Sequence, residues 1–122
     1  MASIETASRP TLWRDLAVAF VFASACLDGT ARAQENVEIV ITVKDHKFDP
    51  AELQAPANKP IALRVKNLDS TPMEFESKTL RVEKVLSGNS EAVINIRPQK
   101  AGQYEFFDEF HEKTTRGVLV VK

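Results

Sequence analysis

The sequence predicts an all-β sandwich of about six to eight short strands. Three observations carry that expectation. Apolar residues alternate with polar ones at a period of two, proline and glycine punctuate these stretches at near-regular spacing, and no stretch of helical period reaches a convincing length. A chain of 122 residues leaves room for one domain.

The elements follow in chain order. Val37, Ile39, Ile41 and Val43 alternate as a half-buried strand should. Pro50, Pro56 and Pro60 then break the chain, which predicts an edge strand and loops, because proline cannot donate to a central ladder. Ile61, Leu63 and Val65 form the next strand, with Arg64 and Lys66 facing out. Residues 79–86 read either as a strand or as a single helical turn. Ala92, Ile94 and Ile96 repeat the alternation until Arg97-Pro98 stops it. Tyr104 and Phe106 mark a further strand and residues 118–121 the last. There is no internal repeat, low-complexity segment or interdomain linker.

Residues 1–33 read as a cleaved signal peptide, which places the domain at 34–122. Arg9 and Arg14 supply a positive n-region, and residues 16–27 form an apolar run. That run suits an h-region and falls short of the roughly 20 residues a membrane span needs. Ala31-Arg32-Ala33 is an A-x-A cleavage site that predicts Gln34 as the new N-terminus. Periplasmic export without stable membrane insertion follows. The competing readings are an unprocessed anchor and, at Cys26, a lipoprotein. Ala23-Ser24-Ala25 lacks the aliphatic residue a lipoprotein signal carries, and no arginine pair marks a twin-arginine signal.

Cleavage removes Cys26, the one cysteine. The mature chain then has neither a disulfide nor a thiolate to offer a metal. The net charge of −1 attracts neither nucleic acid nor anionic lipid. With no nucleophile–base pair, and no phosphate-cradling loop among four glycines, hydrolase and transferase chemistry finds no support.

The order of motifs narrows the fold. Phe48-Asp49-Pro50 is followed by Leu53, the turn Ala57-Asn58-Lys59-Pro60, and a strand ending at Asn67. The loop Asn67-Leu68-Asp69-Ser70-Thr71-Pro72-Met73-Glu74-Phe75-Glu76-Ser77 comes next, and then Gly102-Gln103-Tyr104-Glu105-Phe106-Phe107-Asp108-Glu109-Phe110-His111 and Gly117. From residue 37 to residue 121 this resembles a cupredoxin, which implies a Greek-key β-sandwich. More narrowly, Thr71 to Ser77, Glu83-Lys84-Val85, and Tyr104 to His111 look like the cupredoxin-like components of bacterial periplasmic iron-uptake systems. That resemblance implies iron, copper or both as the bound ion. It implies an inner-membrane iron permease and a second periplasmic iron-binding protein as partners.

The chain departs from the electron-transfer cupredoxins at the metal. Asp108 stands where they carry the thiolate cysteine, and Met73, after Pro72, stands at the first histidine ligand. His111 keeps the second histidine, while the axial methionine falls near Thr115 or Arg116. A blue site needs two imidazoles and a thiolate, so the resemblance excludes one here. The oxygen donors that remain suit harder ions. The ligand set implied is Glu74, Asp108, His111, Met73 and Glu76. Strand parity places Glu74 and Glu76 on one face and Met73 and Phe75 on the other, so Met73 and Glu74 compete as the ligand from that loop. His46 reads as a surface histidine, and Glu109 as solvated or paired with Lys113.

Three functions remain open. One is a periplasmic metal binder of ferrous-iron uptake that binds iron, with copper as a second ion and Fe(II) oxidation before transport as an accompanying activity. Another is a periplasmic copper carrier, which an approach of Met73 and His46 to His111 would favour. The last is a metal-free structural or interaction module.

Overall fold

Alternating apolar residues build two facing sheets. The computed structural model describes residues 35–122, so the expected signal peptide and its cleavage site after Ala33 lie outside the described residues. The strands are β1 (Val37–Lys44), β2 (Lys47–Asp49), β3 (Glu52–Ala55), β4 (Ile61–Asn67), β5 (Met73–Ser77), β6 (Val82–Leu86), β7 (Ser90–Ile96), β8 (Gly102–Asp108) and β9 (Arg116–Val121). A single 3-10 turn, Glu109–His111, follows β8. The ninth strand beyond the expected six to eight is β2, a three-residue hairpin arm on β1.

One sheet runs β2-β1-β4-β7 and the other β3-β9-β8-β5-β6. β1 pairs parallel with β4 and β3 parallel with β9; the remaining neighbours are antiparallel. The proline-rich stretch supplies β2 and β3, both at sheet edges, as the missing donors require. Residues 79–86 resolve into a turn and then β6, the opposite edge of the second sheet.

The core lies between the sheets. Ile61, Leu63 and Val65 alternate inward along β4, and Leu119 and Val121 along β9. Phe48, Phe75 and Phe106 form an aromatic cluster with ring centroids 5.0 to 6.0 Å apart. Offset and edge-on packing of this kind adds to the apolar burial. Phe75 lies opposite Asp108 in the ladder, so the core and the loop after β8 share one strand pair.

Candidate metal centre

Asp108 ends β8 and caps the 3-10 turn. It is fully buried, yet its carboxylate is saturated with donors. Oδ1 accepts from the backbone N–H of Phe110 at 3.0 Å and from that of Glu74, 34 residues away in sequence, at 2.9 Å. Oδ2 lies 2.9 Å from Nδ1 of His111. A buried carboxylate is tolerated only when satisfied in this way. Asp108 thereby ties the start of β5 to the loop after β8. By accepting from Nδ1–H it also fixes the His111 tautomer and leaves the lone pair on Nε2. The His111 carbonyl accepts from the N–H groups of Thr114 and Thr115, and the Asp108 N–H donates to Thr115, which closes the loop.

His46 occupies the turn between β1 and β2. Asp45 and His46 have φ of 50° and 55°, the pair of left-handed residues a tight hairpin turn uses. The Asp69 carboxylate holds that turn, accepting from the backbone N–H of Asp45 at 2.7 Å and of His46 at 3.0 Å. These bonds, the one from His46 foremost, pull the Asp69 pKa below its usual value. Asn67 in turn fixes the Asp69 loop. Its Oδ1 accepts from the Asp69 N–H, and its amide nitrogen donates to the carbonyls of Thr71 and Ser87. Thr115, buried, donates its hydroxyl to the His46 carbonyl. The outcome is a stacked pair of imidazoles: the His46 and His111 ring centroids are 3.9 Å apart and the planes inclined by 26°.

The carboxylates of β5 face the other way. Glu76 lies opposite Glu83 in the antiparallel ladder with β6, and Glu74 shares their face at the next position. Glu109, from the 3-10 turn, closes over them. Carboxylate oxygens of Glu74, Glu83 and Glu109 lie within 4.8 Å of one another. Glu74 is buried to 7% exposure, and a hydrogen bond shared with Glu83, reinforced by burial and by the charge of Glu109, pushes its pKa up to about 7. A hydrogen bond shared with Glu109, together with burial, raises Glu76 as well; Lys78 opposes the shift. Crowded carboxylates of this kind hold either shared protons or a cation.

The five residues expected as ligands therefore fall into separate places. Asp108 and His111 are joined. Glu74 meets Asp108 through its backbone N–H, while its carboxylate belongs with Glu83 and Glu109. Glu76 adjoins that second group. Met73 is buried to 2% and lies opposite Leu86, facing the core as its strand parity requires. Sequence reasoning passed over Glu83 as a ligand and ranked His46 and Glu109 low. A two-residue turn between strands would have pointed to His46, and the cross-strand register to Glu83.

The family model of the cupredoxin-like domain matches residues 16–121. The chain belongs to the cupredoxin-like family. A relative, an uncharacterised protein of Rickettsia prowazekii (strain Madrid E), is 38% identical over 95 residues, 77% of this chain and 76% of the relative. Among solved structures the fold is similar to auracyanin A, a "blue" copper protein from Chloroflexus aurantiacus. There the TM-score is 0.62 at 18% identity, covering 72% of this chain and all (100%) of that one. It is also similar to the metal-binding domain of the Cu(I)-exporting P-type ATPase CopA of Streptococcus pneumoniae D39. In that case the TM-score is 0.63 at 20% identity, over 74% and 98% of the two chains. Both likenesses establish the sandwich. Within this cupredoxin-like frame a blue copper centre does not fit. The described residues contain no cysteine, and the oxygens of Asp108, expected from the resemblance at the thiolate position, accept from three N–H groups.

Proposed function

We propose that this chain is a periplasmic metal-binding cupredoxin-like protein that assists ferrous-iron uptake. It holds iron on Glu74, Glu83 and Glu109, with Glu76 beside them, and delivers it toward an inner-membrane iron permease together with a second periplasmic iron-binding protein. The observation that carries it is the convergence of three carboxylates within 4.8 Å on the face of β5 and β6. Carboxylate oxygens are hard donors that suit iron and manganese over soft ions. The resemblance of the Thr71 to Ser77 and Tyr104 to His111 segments to iron-uptake components supports iron as the ion. In this reading Asp108 is a positioning residue: it holds β5, and so Glu74, against the turn that carries Glu109.

The test is uptake of radioactive Fe(II) by cells lacking the gene, complemented with the parent chain, Glu74→Gln or Glu83→Gln at matched periplasmic levels. The parent restores uptake and both variants fail to. Equal restoration by the variants, or no effect of the deletion, overturns the proposal.

A further inference from the structure

We propose that the cleft between β6 and β7, at the end of the sandwich away from Asp108 and His111, binds a small organic dicarboxylate or tricarboxylate between Arg81 and Arg97. The cleft has a topological cause. β6 and β7 are edge strands of the two different sheets. The short link Ser87-Gly88-Asn89 holds them together at one end. At the other end, where β6 begins and β7 stops, the sheets part. The gap is a cavity of about 520 Å³, lined by Leu80, Arg81 and Val82 on one wall and Asn95, Arg97 and Pro98 on the other. Pockets for small molecules run from roughly 300 to 1,000 Å³.

The charge of the cleft is one-sided. Its lining holds two guanidinium groups and no carboxylate among the described residues. Arg64 and Arg116 are paired with Glu91 and Glu112. Arg81 and Arg97, the other arginines of the described residues, pair with no carboxylate among those residues. A guanidinium fork holds a planar carboxylate through two parallel hydrogen bonds. One fork on each wall calls for two acid groups on one skeleton. Asn95 lies two residues before Arg97, on the same side of the strand, and adds an amide donor. Leu80, Val82 and Pro98 supply apolar surface for a carbon skeleton, which inorganic phosphate lacks.

Both walls are held in place by the fold. Leu80 is buried in the core, its N–H donates to Ser77 Oγ at 3.3 Å, and that hydroxyl donates to the Glu105 carbonyl at 2.6 Å. Arg81 follows at a φ of 57°, a left-handed position unusual for a long side chain. On the other wall the Gln99 amide donates to the Arg97 carbonyl at 2.7 Å, and the Gln99 carbonyl accepts from the Asn58 N–H at 2.8 Å. Fixed walls lower the ordering cost of binding. Glu74, Glu83 and Glu109 do not line this cleft, so the inference stands apart from the iron reading and each can fail alone.

The experiment uses the whole metal-free chain and calorimetric titration with succinate, citrate, acetate and inorganic phosphate. The proteins are the parent, Arg81→Asn, Arg97→Gln and, as a control that removes the same charge elsewhere, Arg64→Gln. Asparagine tolerates the left-handed turn, so Arg81→Asn keeps the backbone, and thermal melting checks that each variant is folded. The parent should bind one succinate or one citrate per chain saturably, and acetate and phosphate at least tenfold more weakly than succinate. Arg81→Asn and Arg97→Gln should each bind succinate at least tenfold more weakly than the parent, and Arg64→Gln as the parent does. The inference is overturned if the parent shows no saturable binding, or if folded Arg81→Asn or Arg97→Gln keeps parental affinity. It is also overturned if Arg64→Gln weakens binding as much as they do, or if acetate or phosphate binds as tightly as succinate.

Discussion

Asp108 joins residues that are distant in sequence. From the chain alone it reads as a metal ligand, with no structural role. Full burial and three N–H partners change that expectation. Removing the carboxylate strands the Glu74 and Phe110 N–H groups without an acceptor. Asp108→Ala should therefore lower stability by on the order of 2–4 kcal/mol, measured by denaturant unfolding of the metal-free protein; an unchanged midpoint would show that water replaces the carboxylate. Asp69 holds the other turn with two backbone bonds. Asp69→Ala should cost about 1–3 kcal/mol near neutral pH. The sign follows from its depressed pKa: this contribution is present above the usual value of 3.8 and lost as pH falls through the folded value. An acid melt of parent and variant in parallel should bring the two curves together at low pH. The sequence pointed to Asp108 as an oxygen ligand and gave Asp69 no role. It did not show their partners, because backbone N–H groups carry no sequence signature.

At the scale of elements, the strands were legible and their neighbours were not. The alternation of Ile61, Leu63 and Val65 reports which face is buried, and the prolines report which strands are edges. Register is set by turns. Arg81, at a φ of 57° just before β6, helps fix how Glu83 comes to lie opposite Glu76. That cross-strand meeting was therefore hidden, although parity had placed Glu74 and Glu76 together. Packing between strands gives a test of its own. A Cβ on Gly117 would fall 2.4 Å from the Phe106 ring and 2.7 Å from the Ala51 carbonyl. Both neighbours are constrained, Phe106 by the aromatic cluster and Ala51 by its bond from the Val118 N–H. Gly117→Ala should destabilise the domain by about 1–3 kcal/mol through overpacking; a melting temperature equal to the parent's would mean that β9 can shift at no cost.

Across the whole molecule, the cupredoxin frame is kept while the donors around it differ from those of a blue copper protein. Two groups flank one short turn, imidazoles on one side and carboxylates on the other, and the carboxylates leave a mark on stability. Glu74 holds its proton up to about 7 when folded but releases it near 4.5 when unfolded. Between those values the folded state binds more protons, so the metal-free protein should lose stability as pH rises from about 4.5 to about 7, Glu76 contributing in the same direction. A cation that replaces the shared protons should flatten that slope. The central claim is that these carboxylates bind iron, and anaerobic calorimetric titration of Fe(II) into the parent and Glu83→Gln tests it most directly. The substitution keeps shape and removes repulsion, so the variant should stay folded. The account predicts saturable binding by the parent and at least tenfold weaker binding by Glu83→Gln, roughly 1.4 kcal/mol; no binding by the parent, or equal affinity in the two, would contradict it.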